Sequence, residues 1–566
     1  MKTPLRIRLR RLIWAPLKLH AHYQVYRWKR QLARTPEVQA RLLEVLLDLV
    51  RDTDFGRDYG LARIRTIEDL RKALPVAGYE RVEPYIERMK RGEKGVLLPP
   101  DTRIHMFAMT SGTTGTPKYI PVTDFILKTY RHGWHVWGVH ALDDHHDAFG
   151  TKILQLASRM DEQTTPSGIP AGAMSGFTAY VQHPLVRQLY VVPPEGSRAG
   201  SAATKYYLAC RLGLQERRVM PMTANPSTLL SLAKTMDERK ESLLRDVADG
   251  TLAKDLAFEP DVRRSLEARL RPQRRRAREL EACIRASGHL YPKDAWDVPL
   301  INTWKGGTLT LYLRELPEYW GDAPIRDVGL IASEGRFSIP VQTPGSAGVL
   351  EVIGTYFEFV PEEEIDAPQP RALLAHEVEI GRKYFIIITT PSGLVRYHIG
   401  DLVKVVGRMG LCPIIEFLNK GQHIANLTGE KITEFQVVSA VNTALDLLHL
   451  EVHNYCLAPS WDKVPYYSLL VEESDLPAGR AVELAAAVDK VLRALNIEYE
   501  TKRSSRRLRA IRVKTVPAGE WHHFDGREIA SRGERIEQYK HKFLVNQVDF
   551  EKSFTIRGCY APPDEA

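Results

Sequence analysis

Near Gly92 the sequence changes its hydrophobic period, and that change limits the folds open to the chain. Before it, apolar residues recur at helical spacing. Thr35 and Pro36 read as a helix cap and first-turn proline, followed by Leu42, Leu43, Leu46, Leu47, Leu49 and Val50. Thr66 with Asp69 reads as a capping box that opens a short helix running to Leu74 and stopping at Pro75. Glu83 and Pro84 start another, which ends near Arg91 and Gly92. Beyond that point β-branched and aromatic runs alternate with helical stretches: Lys152 to Ala157, Gly329 to Ala332, Val349 to Val360 and Tyr384 to Thr390. Pro391-Ser392-Gly393 and a second run, Leu394 to Ile399, follow the last of these and predict a hairpin. The fold class is therefore α/β, or mixed α+β, behind an N-terminal helical layer.

The strand-rich section ends near Lys420 and Gly421. A helix over Thr433 to Leu448, strands near Tyr466 to Val471 and a helix from Val482 to Leu495 follow, which predicts two domains, 1–420 and 421–566. The 44% apolar and 26% charged content describes a globular chain, and a mean hydropathy of −0.28 argues against a multi-span membrane protein. Five scattered cysteines form no C-x-x-C pair and fit a reducing compartment. Arg6, Arg8, Arg10, Arg11 and Lys18 interrupt any apolar run a signal peptide would need, so the expected location is cytoplasmic.

Much of the net charge of +9 lies in the first thirty-odd residues and in Arg263 to Arg278, a helical face interrupted by Pro272. Neither block carries a zinc finger, an RNP-like run or an aromatic-interleaved basic repeat, so a solvated face is preferred to nucleic-acid binding. Trp14, Tyr23, Tyr26 and Trp28 among the N-terminal cations leave a weak membrane-surface contact open.

The chemistry is concentrated in Thr110-Ser111-Gly112-Thr113-Thr114-Gly115-Thr116-Pro117-Lys118, which follows a short apolar run, Ile104 to Met109. Glycines let backbone approach a phosphate closely, hydroxyls supply donors and Lys118 adds positive charge. A Walker A loop requires Gly-Lys followed by Ser or Thr; here Pro117 precedes the lysine and Tyr119 follows it. Read alone, the segment is a phosphate loop of another kind or a Ser/Thr/Gly-rich surface turn.

Further motifs decide between these. The loop continues as Tyr119-Ile120-Pro121-Val122-Thr123, and downstream stand Thr303-Trp304-Lys305-Gly306-Gly307, Ala332-Ser333-Glu334-Gly335 and Tyr356-Phe357-Glu358-Phe359. Arg396-Tyr397-His398-Ile399-Gly400-Asp401, Gly429-Glu430-Lys431 and Gln538-Tyr539-Lys540 complete the series. With the helical layer from Thr35 to Arg91, these resemble the Gretchen Hagen three (auxin-responsive promoter) family of acyl acid amido synthetases, among the adenylate-forming enzymes, over nearly the whole chain.

The resemblance implies an adenylate-forming fold: a large ATP- and acyl-binding domain of sheets and helices over 1–420, and a small mobile α+β lid over 421–566. It implies ATP and Mg2+, with Lys118, Glu334 and Lys540 catalytic and Glu334 also holding the magnesium. Nucleotide contacts fall to Thr110, Ser111, Gly112, Thr113, Thr114, Gly115 and Ser333, to Tyr356 and Phe357 as an aromatic face for adenine, and to Asp401 for the ribose hydroxyls. The segment Thr165 to Gly176 lies, by the same resemblance, beside the acyl pocket. His398 and Lys420 stand where many members have arginine, and His541-Lys542 replaces an expected proline-containing pair. The implied reaction activates a carboxylic acid as its acyl-adenylate and passes it to an amine, which the family pattern implies is an amino acid. A thiol acceptor such as coenzyme A, and a nucleotide-binding, membrane-associated protein without catalysis, are the alternatives.

Overall fold

The computed structural model describes residues 5–110, 117–182, 184–365, 367, 369–420, 424–425, 427–428, 430, 432–462, 464–504, 508–532 and 541–563. Contacts divide the chain into two compact units, Met1–Ile399 with Val403–Phe417, and Gly400–Leu402 with Leu418–Ala566. The sequence-based division falls after Lys420, the last residue of the strand Cys412–Lys420.

In the first unit, the helix Leu5–Leu32 is joined to the helix Thr35–Arg51 by a two-residue turn. Thr35 is not the cap that its sequence suggests. The turn is so short that Thr35 is already helical, Arg34 takes the cap position, and the Thr35 hydroxyl donates to the Leu32 carbonyl at 2.8 Å. The capping box at Thr66 forms as its spacing predicts: the Asp69 amide donates to Thr66 Oγ1 at 3.1 Å and the Thr66 amide to Asp69 Oδ2 at 3.0 Å. It opens the helix Ile67–Ala73, and the helix Glu83–Lys90 follows with a proline in its first turn.

Three sheets of four or more strands among the described residues organise the rest of this unit. Lys118–Thr123, Ile104–Thr110, Pro170–Gly172 and Gln163–Thr164 form the first, in that order. Lys152–Gln155, Val219–Met222, Ile301–Asn302 and Ile325–Arg326 form a second, parallel throughout. A seven-stranded sheet includes Gly348–Leu350, Lys383–Thr389, Tyr356–Pro361 and Tyr397–Met409.

Two predicted runs are broken in this third sheet. Val349 to Val360 is two strands separated by a turn at 352–354, where the Gly354 amide donates to Glu351 Oε2 at 2.9 Å. A Cβ on Gly354 would stand 2.3 Å from Thr129, so the chain turns where only glycine fits. The run Leu394 to Ile399 becomes a strand only from Tyr397, because Arg396 adopts a positive φ of 48°. The Arg263 to Arg278 block is likewise two helices, Pro260–Glu267 and Arg274–Ser287, and it is not wholly solvated: Arg276 is buried and donates to the Leu214 carbonyl at 3.0 Å.

In the second unit, Tyr455–Ser460 pairs antiparallel with Tyr466–Glu472, which pairs parallel with Arg512–Val516. The helix Ala481–Leu495 lies in the crossover between the parallel pair, as parallel strands require. The helix Glu434–Leu448 opens on a capping box between Thr433 and Gln436. Among the described residues, no helix is long and apolar enough to cross a membrane.

Candidate functional site

The strands that flank the Gly-rich segment in sequence, Ile104–Thr110 and Lys118–Thr123, pair antiparallel with Thr110 opposite Lys118. Ser111, Gly112, Thr113, Thr114 and Gly115 lie outside the described residues. The strand after the loop is pinned to the helical layer: the Tyr119 amide donates to the Tyr79 hydroxyl at 2.9 Å, and that hydroxyl donates to the Tyr119 carbonyl at 3.2 Å. The Lys118 ammonium stands 5.7 Å from the centre of the Tyr79 ring, and Lys90 lies 3.7 Å over that of Tyr119.

Beside the loop strand, Phe107 and Ala108 pair in parallel with Ala171 and Gly172. Parallel strands leave a sheet at the same end, so the chain entering the helix Met174–Tyr180 emerges where the strand Ile104–Thr110 finishes. Two glycines make this packing possible: a Cβ on Gly172 would stand 2.5 Å from the Met160 backbone, and one on Gly176 2.1 Å from the Ser158 carbonyl oxygen. Met160, Gly176 and Tyr180 also border a cavity of about 960 Å3. Of its four cations, Lys152, Arg198 and Arg269 are paired with Glu216, Glu259 and Glu195, while Arg187 donates to the Tyr180 and Gln182 carbonyls.

Glu334 occupies a tighter setting. Ile331–Ala332 and Gly335–Arg336 pair antiparallel, leaving Ser333 and Glu334 as a two-residue hairpin turn. The glutamate is nevertheless buried. Tyr130 donates its hydroxyl to the Ala332 carbonyl, and burial, followed by the Glu334 charge, raises this phenol above its ordinary range. After the turn, Arg336 lies beneath the surface with its guanidinium 4.6 Å from the Trp134 ring centre, and it donates to the Val328 carbonyl at 2.7 Å. Burial lowers its pKa to about 10.

The parallel sheet brings a further group to this hairpin. Thr303-Trp304-Lys305 follows the strand Ile301–Asn302, and Asp327 follows Ile325–Arg326; both therefore leave the carboxyl edge, where open α/β sheets bind ligands. The Asp327 carboxylate accepts the backbone amides of Lys305 and Gly329, each at 2.6 Å, while Trp304 Nε1 donates to the Gly329 carbonyl at 2.8 Å. Burial pushes Asp327 up to about 6 against the pull of those two amides. The neighbouring Arg326 ion-pairs with Asp144, the last residue of the helix Asp124–Asp144. The polar run Asp143 to Asp147 spans the end of that helix and enters the single turn His146–Ala148.

The predicted aromatic face for adenine is not open. Both faces of Tyr356–Pro361 are covered. The Tyr356 ring packs with Leu42 and Leu46, and Phe357 lies edge-on to Phe337 within the main core. Alternation along a strand covered on both faces makes both rings core. Glu358, between Phe357 and Phe359, instead receives two arginines: Arg71 Nε at 2.9 Å and Arg396 Nε at 2.8 Å. His398, one residue past Tyr397, donates its amide to the Ala77 carbonyl at 2.8 Å and sets its ring edge-on to Phe385.

Asp401 is buried, and Gly400 before it has a φ of +86°. Residues Gly400–Leu402 group with the second unit. There Glu430 is buried and accepts the amides of Leu427 and Thr428 at 2.6 and 2.7 Å. Lys540, like Gly429 and Lys431, lies outside the described residues. The next residue, His541, is held on both ring nitrogens, with Nδ1 at 3.1 Å from Asp525 Oδ2 and Nε2 at 3.0 Å from the Tyr455 carbonyl oxygen.

Residues 25–325 match the GH3 family N-terminal domain, 348–420 its central domain and 435–549 its C-terminal domain. The chain belongs to the GH3 family. It is 24% identical to the indole-3-acetic acid-amido synthetase GH3.3 of Arabidopsis thaliana, over 89% of this chain and 88% of that protein. It is 23% identical to the jasmonoyl–L-amino acid synthetase JAR4 of Nicotiana attenuata, over 89% and 90%. A solved structure, AtGH3.15 acyl acid amido synthetase in complex with 2,4-DB, superposes with a TM-score of 0.82 at 19% identity, covering 95% of this chain and 97% of that one. The mixed α/β GH3 fold is therefore that of this chain.

Within this GH3 chain, three buried groups near the motifs carry structural work that the motifs did not assign. Asp327 links Lys305 to Gly329, Arg336 braces the Glu334 hairpin, and Glu358 gathers Arg71 and Arg396. The last had a sequence signal, a lone acid in the otherwise apolar Tyr356-Phe357-Glu358-Phe359-Val360.

Proposed function

We propose that this chain is an ATP-dependent acyl acid amido synthetase. The observation that carries the reading is its succession of GH3 N-terminal, central and C-terminal domains over 25–325, 348–420 and 435–549. In the first step a carboxylate oxygen attacks the α-phosphorus of ATP, pyrophosphate leaves, and an acyl-adenylate forms. An amine then attacks the acyl carbon, AMP leaves with the bonding pair, and the amine loses a proton. The proposed amine is an amino acid.

The chain's own residues bind and orient. Thr110, Ser111, Gly112, Thr113, Thr114, Gly115 and Ser333 supply phosphate-facing donors, and Lys118 supplies positive charge. Asp401 accepts hydrogen bonds from the ribose, while Lys540, in the 421–566 lid domain, offsets charge at the α-phosphate. Losing one such preorganised charge typically costs about 3 kcal/mol of transition-state stabilisation. The large domain, 1–420, provides the nucleotide and acyl sites, with Thr165 to Gly176 beside the acyl group.

Glu334 is the proposed magnesium ligand. Among the described residues, no group of three or more His, Cys, Asp or Glu side chains could cage a metal. Magnesium bound with nucleotide needs only one or two carboxylates beside phosphate oxygens and water, so a single buried glutamate fits. When bound, the ion supplies positive charge to the triphosphate oxygens. All five cysteines are free, which supports a cytoplasmic location as part of the reading.

The test is acid-dependent exchange of pyrophosphate into ATP over a panel of carboxylic acids, with amino acids and coenzyme A supplied in parallel and products identified by mass. Amide and AMP are the expected products. A thioester product would replace amide synthesis by thiol ligation, and no exchange over the panel would remove the adenylation reading.

A further inference from the structure

The positive charge of this chain is not spread over it. From Met1 to Pro36 there are ten Lys or Arg residues and no Asp or Glu; with a net charge of +9 for the whole chain, the remaining residues sum to −1. Eight of those cations belong to the helix Leu5–Leu32.

That helix also presents more than one apolar face. Val25, Trp28 and Leu32 are buried, and Ala21 is partly buried, in the core that includes the helix Asp124–Asp144. Leu19, Tyr23 and Tyr26 are instead 75%, 58% and 59% exposed. Their spacing of four and three residues aligns them along one side of a helix. Leu5, Leu9, Leu12 and Pro16 continue the same spacing in the sequence. Arg27, Lys29 and Arg30 are exposed beside the stripe.

We propose that the Leu19–Tyr23–Tyr26 face of this helix docks on an anionic lipid surface. Charge complementarity selects the occupant: the helix has no carboxylate to repel anionic headgroups, and each Lys or Arg near such a surface strengthens binding about fivefold. Leu19 enters the acyl boundary, and the two tyrosines lie at headgroup depth, each with an apolar ring and a polar hydroxyl. A nucleic-acid partner would use the cations but leaves this apolar stripe without a task. Because the opposite face remains packed in the protein core, docking leaves the helix in place.

The full-length protein is sedimented with vesicles of phosphatidylcholine alone or with about 30% phosphatidylglycerol, at low and physiological salt. The expected result is at least a hundredfold stronger partitioning onto the anionic vesicles, weakened by salt. Leu19→Ser/Tyr23→Ser/Tyr26→Ser should lose about tenfold while retaining its melting temperature and acid-dependent pyrophosphate exchange. Arg27→Gln/Lys29→Gln/Arg30→Gln should lose about a hundredfold on anionic vesicles. Equal binding to both vesicles, unchanged binding of the serine variant, or a salt-sensitive complex with duplex DNA that excludes vesicles would overturn the proposal. So would a dimer that the serine substitutions dissociate and that does not bind vesicles.

Discussion

Arg396 donates from Nε to Glu358 Oε2 at 2.8 Å, and the two side chains are only 3% and 1% exposed. Arg71 donates to the other carboxylate oxygen at 2.9 Å, while Arg396 Nη1 reaches the Leu74 carbonyl at 2.6 Å. The ion pair thus ties the strand Tyr356–Pro361 to the positive-φ residue that introduces Tyr397-His398-Ile399-Gly400-Asp401. Glu358→Ala leaves the Arg396 cation buried without its partner and should cost about 3–5 kcal/mol in a urea titration. Glu358→Met/Arg396→Met leaves no fully buried lone charge, because the remaining partner, Arg71, is partly exposed and within 4.0 Å of Glu68, and it should cost less than half as much. Equal losses would show that this pairing does not set the stability.

Asp327 should make stability fall as pH rises through the acid range. Its ordinary value is 3.8, and burial raises it to about 6 in the fold. Between those values the native protein retains a proton that the unfolded chain has released, so acid favours the native state. The stabilisation is complete below about 3.8 and is lost as pH rises through about 6, a change of about 3 kcal/mol at most. Urea midpoints measured across this window should fall with pH in the native protein and change less in Asp327→Asn. An unaltered slope in the variant would assign the effect to another group.

Gly133 tests the support beneath the glutamate hairpin. A Cβ at this position would stand 2.4 Å from Arg336 Cδ and 2.9 Å from its Nε. The arginine is buried beside Trp134, so a methyl group must push it rather than meet open solvent. Gly133→Ala should lower stability by about 1–3 kcal/mol and raise the KM for ATP. Gly138→Ala, in the same helix with nothing within 4 Å of its new Cβ, should do neither. Parallel melting and pyrophosphate-exchange measurements compare the two substitutions.

Local sequence carried the elements that local physics controls. The Thr66 capping box, the Glu83–Lys90 helix and the helix opening at Thr433 follow from nearby side chains and periodicity. Arg396 depends instead on Glu358, thirty-eight residues away in sequence, and Asp327 joins loops brought together by neighbouring parallel strands. Tyr356 and Phe357 show the complementary limit: an aromatic pair in a strand reads equally as ligand platform or core until both sheet faces are known to be covered. In the candidate site, Glu334 stands out in the sequence as a motif residue, whereas its buried two-residue turn and the Arg336 bond to Val328 required tertiary structure.

Glu334→Gln separates the proposed metal role from that support. Glutamine nearly preserves the side chain's size and one carbonyl acceptor but removes the carboxylate charge. If Glu334 holds magnesium against the triphosphate, acid-dependent pyrophosphate exchange should fall about 100- to 1,000-fold, with a higher magnesium concentration needed for half-maximal rate. Tyr130→Phe removes the hydroxyl donated to Ala332 without removing this charge, so its magnesium dependence should remain close to that of the native protein. Native-like magnesium dependence in both variants would reject the metal role of Glu334. The GH3 membership of the chain, carried by its three matched domains, would still stand.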